Sequence, residues 1–418
     1  MTIALNTLGC KLNYAETSTY ERGFAAAGWE IVPWSQVADV YLLNTCAVTQ
    51  HAEKKSRNVI RAAAKRAPGA SIVVTGCYAE LRAEEISALP GVVRVFRSAE
   101  KTRVVPETLA LLSAAHAGSA APVILSASEG SPTLPAWSAG ERTRSFLKVQ
   151  DGCDNFCAYC TVPFARGRSR NIPIAELVAE AREIASRGIV EIVLTGVNTG
   201  DFGRTTGESF LDLLKALNEV EGIERYRISS IEPNLITPEI IDWIASGTKF
   251  LPHFHIPLQS GSDVLLKAVG RKYDTALFAS RIDYIRSRIP HVFFGIDVIV
   301  GLPGETDELF EETYRFLEER IKPSFIHIFP YSRRPGTRAY SMPCQVQDSI
   351  KTERVERLEA LSDRLHEAFV ESCKGLKEKV LWESSDHEGN MEGYSGNYIR
   401  IVRPYDESKV GKIEEITL

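Results

Sequence analysis

The chain lacks any apolar run of the roughly 20 residues needed to span a bilayer. Its opening, Met-Thr-Ile-Ala-Leu-Asn-Thr-Leu-Gly, has neither a basic stretch nor the long apolar core of an export signal. Both absences argue against a membrane or secreted protein, and the expected location is the cytoplasm. Positive charge is not in excess either. With 49 Lys and Arg against 54 Asp and Glu, the formal net charge is −5. Contact with nucleic acid must then come from local patches rather than from bulk charge. Disulfides are not expected in a reducing compartment, so the eight cysteines read as metal ligands or buried thiols. The rest is ordinary: 418 residues, 44% hydrophobic and 25% charged, enough for roughly two to four domains.

What is present is concentrated in one stretch, Cys153-Asp-Asn-Phe-Cys157-Ala-Tyr-Cys160. Three thiolates in a C-x3-C-x2-C spacing suit three irons of a cuboidal iron–sulfur cluster. The fourth iron would then lack a protein ligand and stay open to a small molecule. Zinc remains an alternative, but structural zinc takes four ligands as paired knuckles. Here there is one C-x2-C with an offset third cysteine, and the next histidine is His253.

The first hundred residues alternate strand and helix. Apolar strands are expected at 3–8, 40–44 and 71–75, with helices at about 14–27, 53–66 and from about residue 80. That alternation predicts a parallel sheet, whose ligands sit beyond the carboxyl ends of its strands. Each of these strands runs into a cysteine: Cys10, Cys46 and Cys77. One sheet would bring the three thiols to a common edge, where helix N-termini would favour their thiolate form. Three unrelated buried thiols are the competing reading.

Residues 112–143 are rich in Ala, Ser, Gly and Pro and read as a linker, with a short strand at 123–125. Beyond it the alternation resumes in six longer units, with strands expected at 145–150, 191–195, 226–230, 253–257, 293–300 and 324–329. One long helix is expected over 263–288. This is the pattern of a partial (β/α) barrel, with its site at the carboxyl face. Polar clusters fall there: Asn198, Ser229-Ser230-Ile-Glu232, His255 with Gln259, Asp297, and Tyr331-Ser332. His253 reads as an ordinary hydrogen-bonded histidine. Arg166, Arg168 and Arg170, and later Arg333, Arg334 and Arg338, suit phosphate contact or a solvated surface equally. After a charged helix at 349–372, short strands from 376 to 417 suggest a small β-barrel of oligonucleotide-binding type. There Lys377, Lys379, Tyr394, Asn397, Tyr398 and Arg400 offer stacking and phosphate contacts. Cys344 and Cys373 read as plain thiols.

The C-x3-C-x2-C loop on the first strand of a partial barrel resembles the radical S-adenosylmethionine enzymes. With the three-cysteine domain before it and the β-module after it, the whole chain resembles their methylthiotransferases. The segments Gly152–Arg170, Leu194-Thr-Gly-Val-Asn-Thr-Gly-Asp-Phe-Gly203, His255–Ser262 and Phe329-Pro-Tyr-Ser332 are most similar to the branch acting on N6-threonylcarbamoyladenosine in tRNA. The resemblance implies an α/β protein in these parts: an α/β parallel-sheet domain over 1–111, a linker over 112–143, a partial (β/α)6 barrel over 144–348, a connecting helix over 349–373, and a TRAM-like RNA-binding β-barrel over 374–418. It implies two 4Fe–4S clusters. Cys153, Cys157 and Cys160 would hold the radical-forming one, and Cys10, Cys46 and Cys77 the auxiliary, sulfur-supplying one. Tyr159 would lie against the adenine of S-adenosylmethionine, with Asn198, Ser230, Glu232 and Gln259 as further contacts to it.

The implied reaction places a methylthio group on C2 of an adenine beside the anticodon. Its C–H bond is inert to acid–base chemistry, so a cofactor must supply a radical. One S-adenosylmethionine would methylate a sulfur of the auxiliary cluster, and a second would yield the 5′-deoxyadenosyl radical. Implied partners are a tRNA anticodon stem-loop with its base splayed out and an electron donor, flavodoxin-like or other. The protein would be a monomer with no membrane association. Sibling enzymes acting on isopentenyladenosine or on a ribosomal-protein aspartate are alternatives, against which the Asp154-Asn155-Phe156 loop argues. A non-catalytic RNA-binding protein with structural metal is an alternative of another class.

Overall fold

A computed structural model describes residues 1–115, 133–139, 143–383 and 388–418. The strand expected at 123–125 lies outside the described residues, as does most of the expected linker. The chain forms two compact units. One comprises Met1–Gly140, Phe146–Asp154 and Cys160–Ile172; the other comprises Glu141–Ser145, Asn155–Tyr159 and Pro173–Leu418. Among the described residues no helix is long and apolar enough to cross a membrane.

The first unit opens with β1 (Thr2–Thr7), α1 (Lys11–Ala26), β2 (Glu30–Ile31), β3 (Val40–Thr45), α2 (Gln50–Arg66), β4 (Ser71–Gly76), α3 (Cys77–Leu81), α4 (Ala83–Ser87), β5 (Val92–Val95) and α5 (Val104–Ala115). The strands form one parallel sheet in the order β2-β1-β3-β4-β5. Every residue of β3 is buried, as befits a central strand covered on both faces. Its side chains alternate between two cores. Tyr41 and Leu43 join Ile60 and Ala63 of α2, while Val40 and Leu42 join Tyr20 and Phe24 of α1 and Val104 of α5. Each fully buried Val, Leu or Phe of this kind contributes about 1.5–3 kcal/mol. Next come β6 (Arg144–Lys148), β7 (Gln150–Asp151), α6 (Val162–Arg166) and β8 (Arg170–Asn171). The antiparallel pair β7–β8 brackets the segment that carries Cys153 and Cys160.

The second unit alternates α7 (Ile174–Ser186), β9 (Glu191–Thr195), α8 (Phe210–Asn218), β10 (Arg225–Ile228), α9 (Pro238–Ala245), β11 (His253–Gln259), α10 (Asp263–Val269), α11 (Thr275–Arg288), β12 (Phe293–Val300), α12 (Asp307–Arg315) and β13 (Phe325–Pro330). Strands β9–β10 and β11-β12-β13 pair in parallel, in sequence order. The long helix expected over 263–288 is two helices. Gly270 caps α10 in the left-handed conformation, and the Asp274 side chain starts α11 by accepting from the Leu277 N–H. After α13 (Arg338–Ser341) and α14 (Asp348–Ser372), strands β14 (Lys377–Trp382), β15 (Asn390–Tyr394), β16 (Arg400–Pro404) and β17 (Ile413–Thr417) form an antiparallel sheet in the order β16-β15-β14-β17.

Two of the C-terminal residues expected to meet RNA are used internally. Asn397 is fully buried and donates to the His291 carbonyl. Tyr398 packs on His253 and Phe293. His253 itself stacks on Phe293.

The C-terminal strands are anchored by arginines. Arg225 donates to the carbonyls of Lys379 and Tyr394, and Arg227 to those of Ser395 and Gly396. Both also bind Glu191, the first residue of β9. Burial alone would raise the Glu191 carboxyl, but Arg227, Arg225 and Arg144 more than offset it and hold the pKa at about 2. The folded value lies below the ordinary one. The resulting stabilisation, on the order of 3 kcal/mol, is therefore complete above about pH 4.5 and lost as pH falls toward 2. The gap in unfolding midpoint between wild type and Glu191→Gln should narrow between pH 5 and pH 3. A gap constant over that range would show that the Glu191 charge does not supply this stability.

Candidate functional site

Cys10 sits just before α1, Cys46 directly follows β3, and Cys77 begins α3. Because β1, β3 and β4 are neighbours, the three thiols arrive at one carboxyl edge. The close approach of the Cys10 turn to Cys46 is visible at Gly9, where φ is +115° and a Cβ would lie 2.9 Å from the Cys46 Cβ and 3.1 Å from its Sγ. Only glycine lets the chain pass there. Charge on Cys77 or Cys10 also disfavours ionisation of Cys46. Cys46 and Cys77 are buried while Cys10 is exposed, so the group has one open side.

The thiolate character expected at helix N-termini is not found at Cys46 and Cys77. Burial pushes Cys46 up to about 11 and raises Cys77 as well. The reason is local. Cys46 lies short of α2, whose N-cap is Thr49, and α3 has only five residues. Burial therefore dominates, and a metal must displace the protons when it binds.

Beneath these thiols lies a buried ionic network. Glu16 accepts from Lys101 at 2.8 and 2.9 Å, from Lys148 at 2.8 Å and from Arg166 at 3.2 Å. Asp151 accepts from Arg166 at 2.9 Å and pairs with Lys148 at 2.8 Å. Arg166 also donates to Asn13 Oδ1. Asn13 in turn donates to the carbonyls of Leu8 and Thr45, tying the ends of β1 and β3 together. With Arg170 also paired to Asp151 at 3.3 Å, cations outnumber the two carboxylates, and Arg166 is attracted to Cys77 and Cys10 when they are ionised. Three soft donors with a fixed positive charge behind them fit an anionic iron–sulfur cluster.

Arg166 is therefore neither a phosphate contact nor a solvated side chain, being 3% exposed. Arg170 is half-buried against Asp151, and Arg168 alone of the three is exposed. Glu16, Lys101, Lys148 and Asp151 were not singled out from the sequence. The available signal was charge inside an apolar strand, Ser145-Phe-Leu-Lys148-Val-Gln-Asp151.

In the cysteine loop, Cys153 N–H donates to the Gly167 carbonyl at 3.1 Å, and Cys160 Sγ accepts from the Val162 N–H at 3.4 Å. At Gly152 (φ +73°) a Cβ would lie 2.0 Å from the Arg168 carbonyl oxygen, so the loop's entry also requires glycine. In the second unit, Ala158 N–H donates to Val269 and its carbonyl accepts from Ala339. Tyr159 packs against the cluster formed by Ala158, Val269, Leu302 and Tyr331.

Arg271 organises the remainder. It donates to Cys157 Sγ at 3.2 Å and to the Tyr159 hydroxyl at 3.5 Å, and pairs with Glu232 at 2.8 Å. Glu232 also accepts from Asn155 at 2.9 Å, and its N–H donates to Asn198 Oδ1. Cys157, Tyr159, Glu232 and Asn198 are thus joined through shared partners. Ser230 contributes its carbonyl, which accepts from Thr199 at 3.0 Å. Gln259 lies at an irregularity of β11 with φ +70°, strained for a non-glycine residue. The sequence reading missed Arg271 because it ran one helix through 263–288. The break at Gly270 is what presents Arg271.

The family described as "Radical SAM superfamily" matches residues 147–317, and "Uncharacterized protein family UPF0004" matches residues 2–97. The chain is 39% identical to the threonylcarbamoyladenosine tRNA methylthiotransferase MtaB of Bacillus subtilis, covering 100% of this chain and 93% of that one. It is 36% identical to the protein of the same name from Aquifex aeolicus, over 96% and 100%. It is also 33% identical to the tRNA-2-methylthio-N(6)-dimethylallyladenosine synthase of Nitratidesulfovibrio vulgaris strain Hildenborough, over 98% and 94%. Among solved structures it resembles the radical S-adenosylmethionine methyltransferase TsrM from Kitasatospora setae. The TM-score is 0.56 at 13% identity, over 92% of this chain and 79% of that one, a likeness of fold alone.

Proposed function

The chain belongs to the radical S-adenosylmethionine methylthiotransferase family, and on that premise we propose that it inserts a methylthio group at C2 of N6-threonylcarbamoyladenosine beside the anticodon of tRNA. The convergence of Cys10, Cys46 and Cys77 at one sheet edge, in a chain that also carries the Cys153–Cys160 loop, is the observation that carries this reading. Enzymes of this family use two 4Fe–4S clusters and S-adenosylmethionine. When bound, these supply the radical and the transferable sulfur that an inert C–H bond requires.

The chain's own residues do the rest. Cys153, Cys157 and Cys160 would hold the radical-forming cluster, and Cys10, Cys46 and Cys77 the auxiliary one. Tyr159, Asn198, Ser230, Glu232 and Gln259 would contact S-adenosylmethionine. Burial of Cys46 and Cys77 excludes water from one side of the auxiliary site, and the Arg166 charge favours the deprotonated, metal-bound thiols. Residues 374–418 would hold the RNA. The reading takes the protein to be a cytoplasmic monomer served by a separate electron donor.

Nucleosides from tRNA of cells with and without the gene test this. Loss of the methylthio derivative of threonylcarbamoyladenosine in the deletion is expected; its persistence would remove the assignment. Arg271 has a distinct expected effect. Its N–H donates to the ligand Cys157, and such hydrogen bonds raise a cluster's potential and orient its ligands. Arg271→Met should lower the cluster's midpoint potential and slow S-adenosylmethionine cleavage by about tenfold or more. Arg271→Lys should recover part of both. A potential equal to wild type in Arg271→Met would deny Arg271 this role.

A further inference from the structure

On β11, β12 and β13 the even-numbered side chains Phe254, Ile256, Phe294, Ile296 and Ile326 are buried at 2% exposure or less. The odd-numbered side chains share the opposite face of the sheet. Most of that face is aromatic: His253 stacks on Phe293, and Phe325 meets His327 edge-on. Within it lies one polar cluster. His255 Nε2 and Asp297 Oδ1 are 2.5 Å apart, and the His255 and His327 rings stack with centroids 4.8 Å apart. One polar atom from each of the three residues lies within 4.8 Å of the other two. The register explains the meeting, because Asp297 pairs directly with His327, and His255 with Gly295. Gly295 leaves the room, since a Cβ there would come 3.3 Å from His327 Nε2. None of the three is fully buried; His255 is 24% and Asp297 16% exposed. Two imidazoles and a carboxylate are also donors for a divalent metal. Here, however, the rings stack 23° from parallel, so their in-plane lone pairs do not aim at one point.

We propose that His255, Asp297 and His327 form the subsite that receives the N6 substituent of the target adenosine, and that they select a substituent bearing hydroxyl, amide and carboxylate groups over an all-carbon one. This rests on the function proposed above. Asp297 holds His255, so the cluster presents imidazole N–H donors together with carboxylate and ring-nitrogen acceptors. A threonylcarbamoyl group supplies complementary partners for both. An isopentenyl group supplies none, and would strip water from three polar side chains without replacing its hydrogen bonds. Sites built to bond a polar substituent reject the apolar analogue strongly for that reason. The distinction matters for this chain, which resembles enzymes named for each of the two substrates.

The test is anaerobic equilibrium binding of the reconstituted full chain to three anticodon stem-loops. They carry threonylcarbamoyladenosine, isopentenyladenosine or plain adenosine at the target position, and the readout is the ratio of dissociation constants. Wild type should favour the threonylcarbamoyl loop over each of the others by about tenfold or more. His327→Phe keeps an aromatic ring in the stack and removes its polar atoms; the preference should collapse to about twofold or less. His327→Gln retains an N–H and an oxygen and should fall between, which keeps the test decisive if the phenylalanine variant does not fold. A wild type that discriminates while both variants keep its full ratio would overturn the subsite and leave the proposed function standing. A wild type whose deletion leaves methylthio-threonylcarbamoyladenosine intact in cells would remove the function itself.

Discussion

Cys46→Ser is expected to bind about four irons per chain after full anaerobic reconstitution, against about eight for wild type, and to form no methylthiolated RNA. The serine keeps the size of the side chain and removes the soft donor. The remaining pair, Cys10 and Cys77, then offers two thiols where a cuboidal cluster needs three ligands. Cys46 is the member of the set with the least freedom to be replaced. It is buried and it lies against Gly9. On the proposed assignment of the Cys153–Cys160 loop to the radical-forming cluster, cleavage of S-adenosylmethionine should persist in this variant, whereas Cys157→Ser should abolish it. Eight irons in Cys46→Ser, or retained methylthiolation, would remove Cys46 from the sulfur-supplying site.

Glu16→Ala should be the most damaging substitution for stability. The carboxylate is fully buried and accepts from Lys101, Lys148 and Arg166. Burial opposes its charge, but Lys101, Lys148 and Arg166 prevail and hold it far below the usual carboxylate range. Removing it leaves three buried cations facing Asp151 alone. Breaking a buried ion pair from one side costs about 3–5 kcal/mol. In a unit of this size that lowers the melting temperature by roughly 10 °C. Glu16→Gln keeps the volume and one acceptor and should lose less. Because the network also lies under Asn13, the alanine variant should reconstitute the auxiliary site poorly even below its melting point. A fall of less than about 2 °C would show that the three cations find other partners.

Much of this was legible before any coordinates. Strand and helix alternation placed Cys10, Cys46 and Cys77 at strand ends, and a parallel sheet leaves those ends one edge to share. The cysteine spacing at 153–160 marked a second segment suited to holding metal. What stayed hidden was whatever depends on side chains far apart in sequence. Nothing local marks Arg166 as buried, because its partners Asn13 and Glu16 lie some 150 residues away. Nothing periodic separates α10 from α11, because one left-handed glycine makes the break that frees Arg271. Charge state was misread for a similar reason. Helix N-termini were credited at Cys46 and Cys77, while the burial that outweighs them is a property of the assembled sheet. Asn397 and Tyr398 looked like RNA contacts because their types suit one; packing assigns them to the interior and to the face of His253.

The most direct measurement is the reaction itself. The reconstituted protein is incubated anaerobically with S-adenosylmethionine, a low-potential reductant and an anticodon stem-loop containing threonylcarbamoyladenosine, and the nucleosides are then weighed by mass spectrometry. The expected result is conversion of that nucleoside to its methylthio derivative, with 5′-deoxyadenosine and S-adenosylhomocysteine formed alongside. Cleavage of S-adenosylmethionine with the target nucleoside unchanged, in protein shown to hold both clusters, would contradict the account.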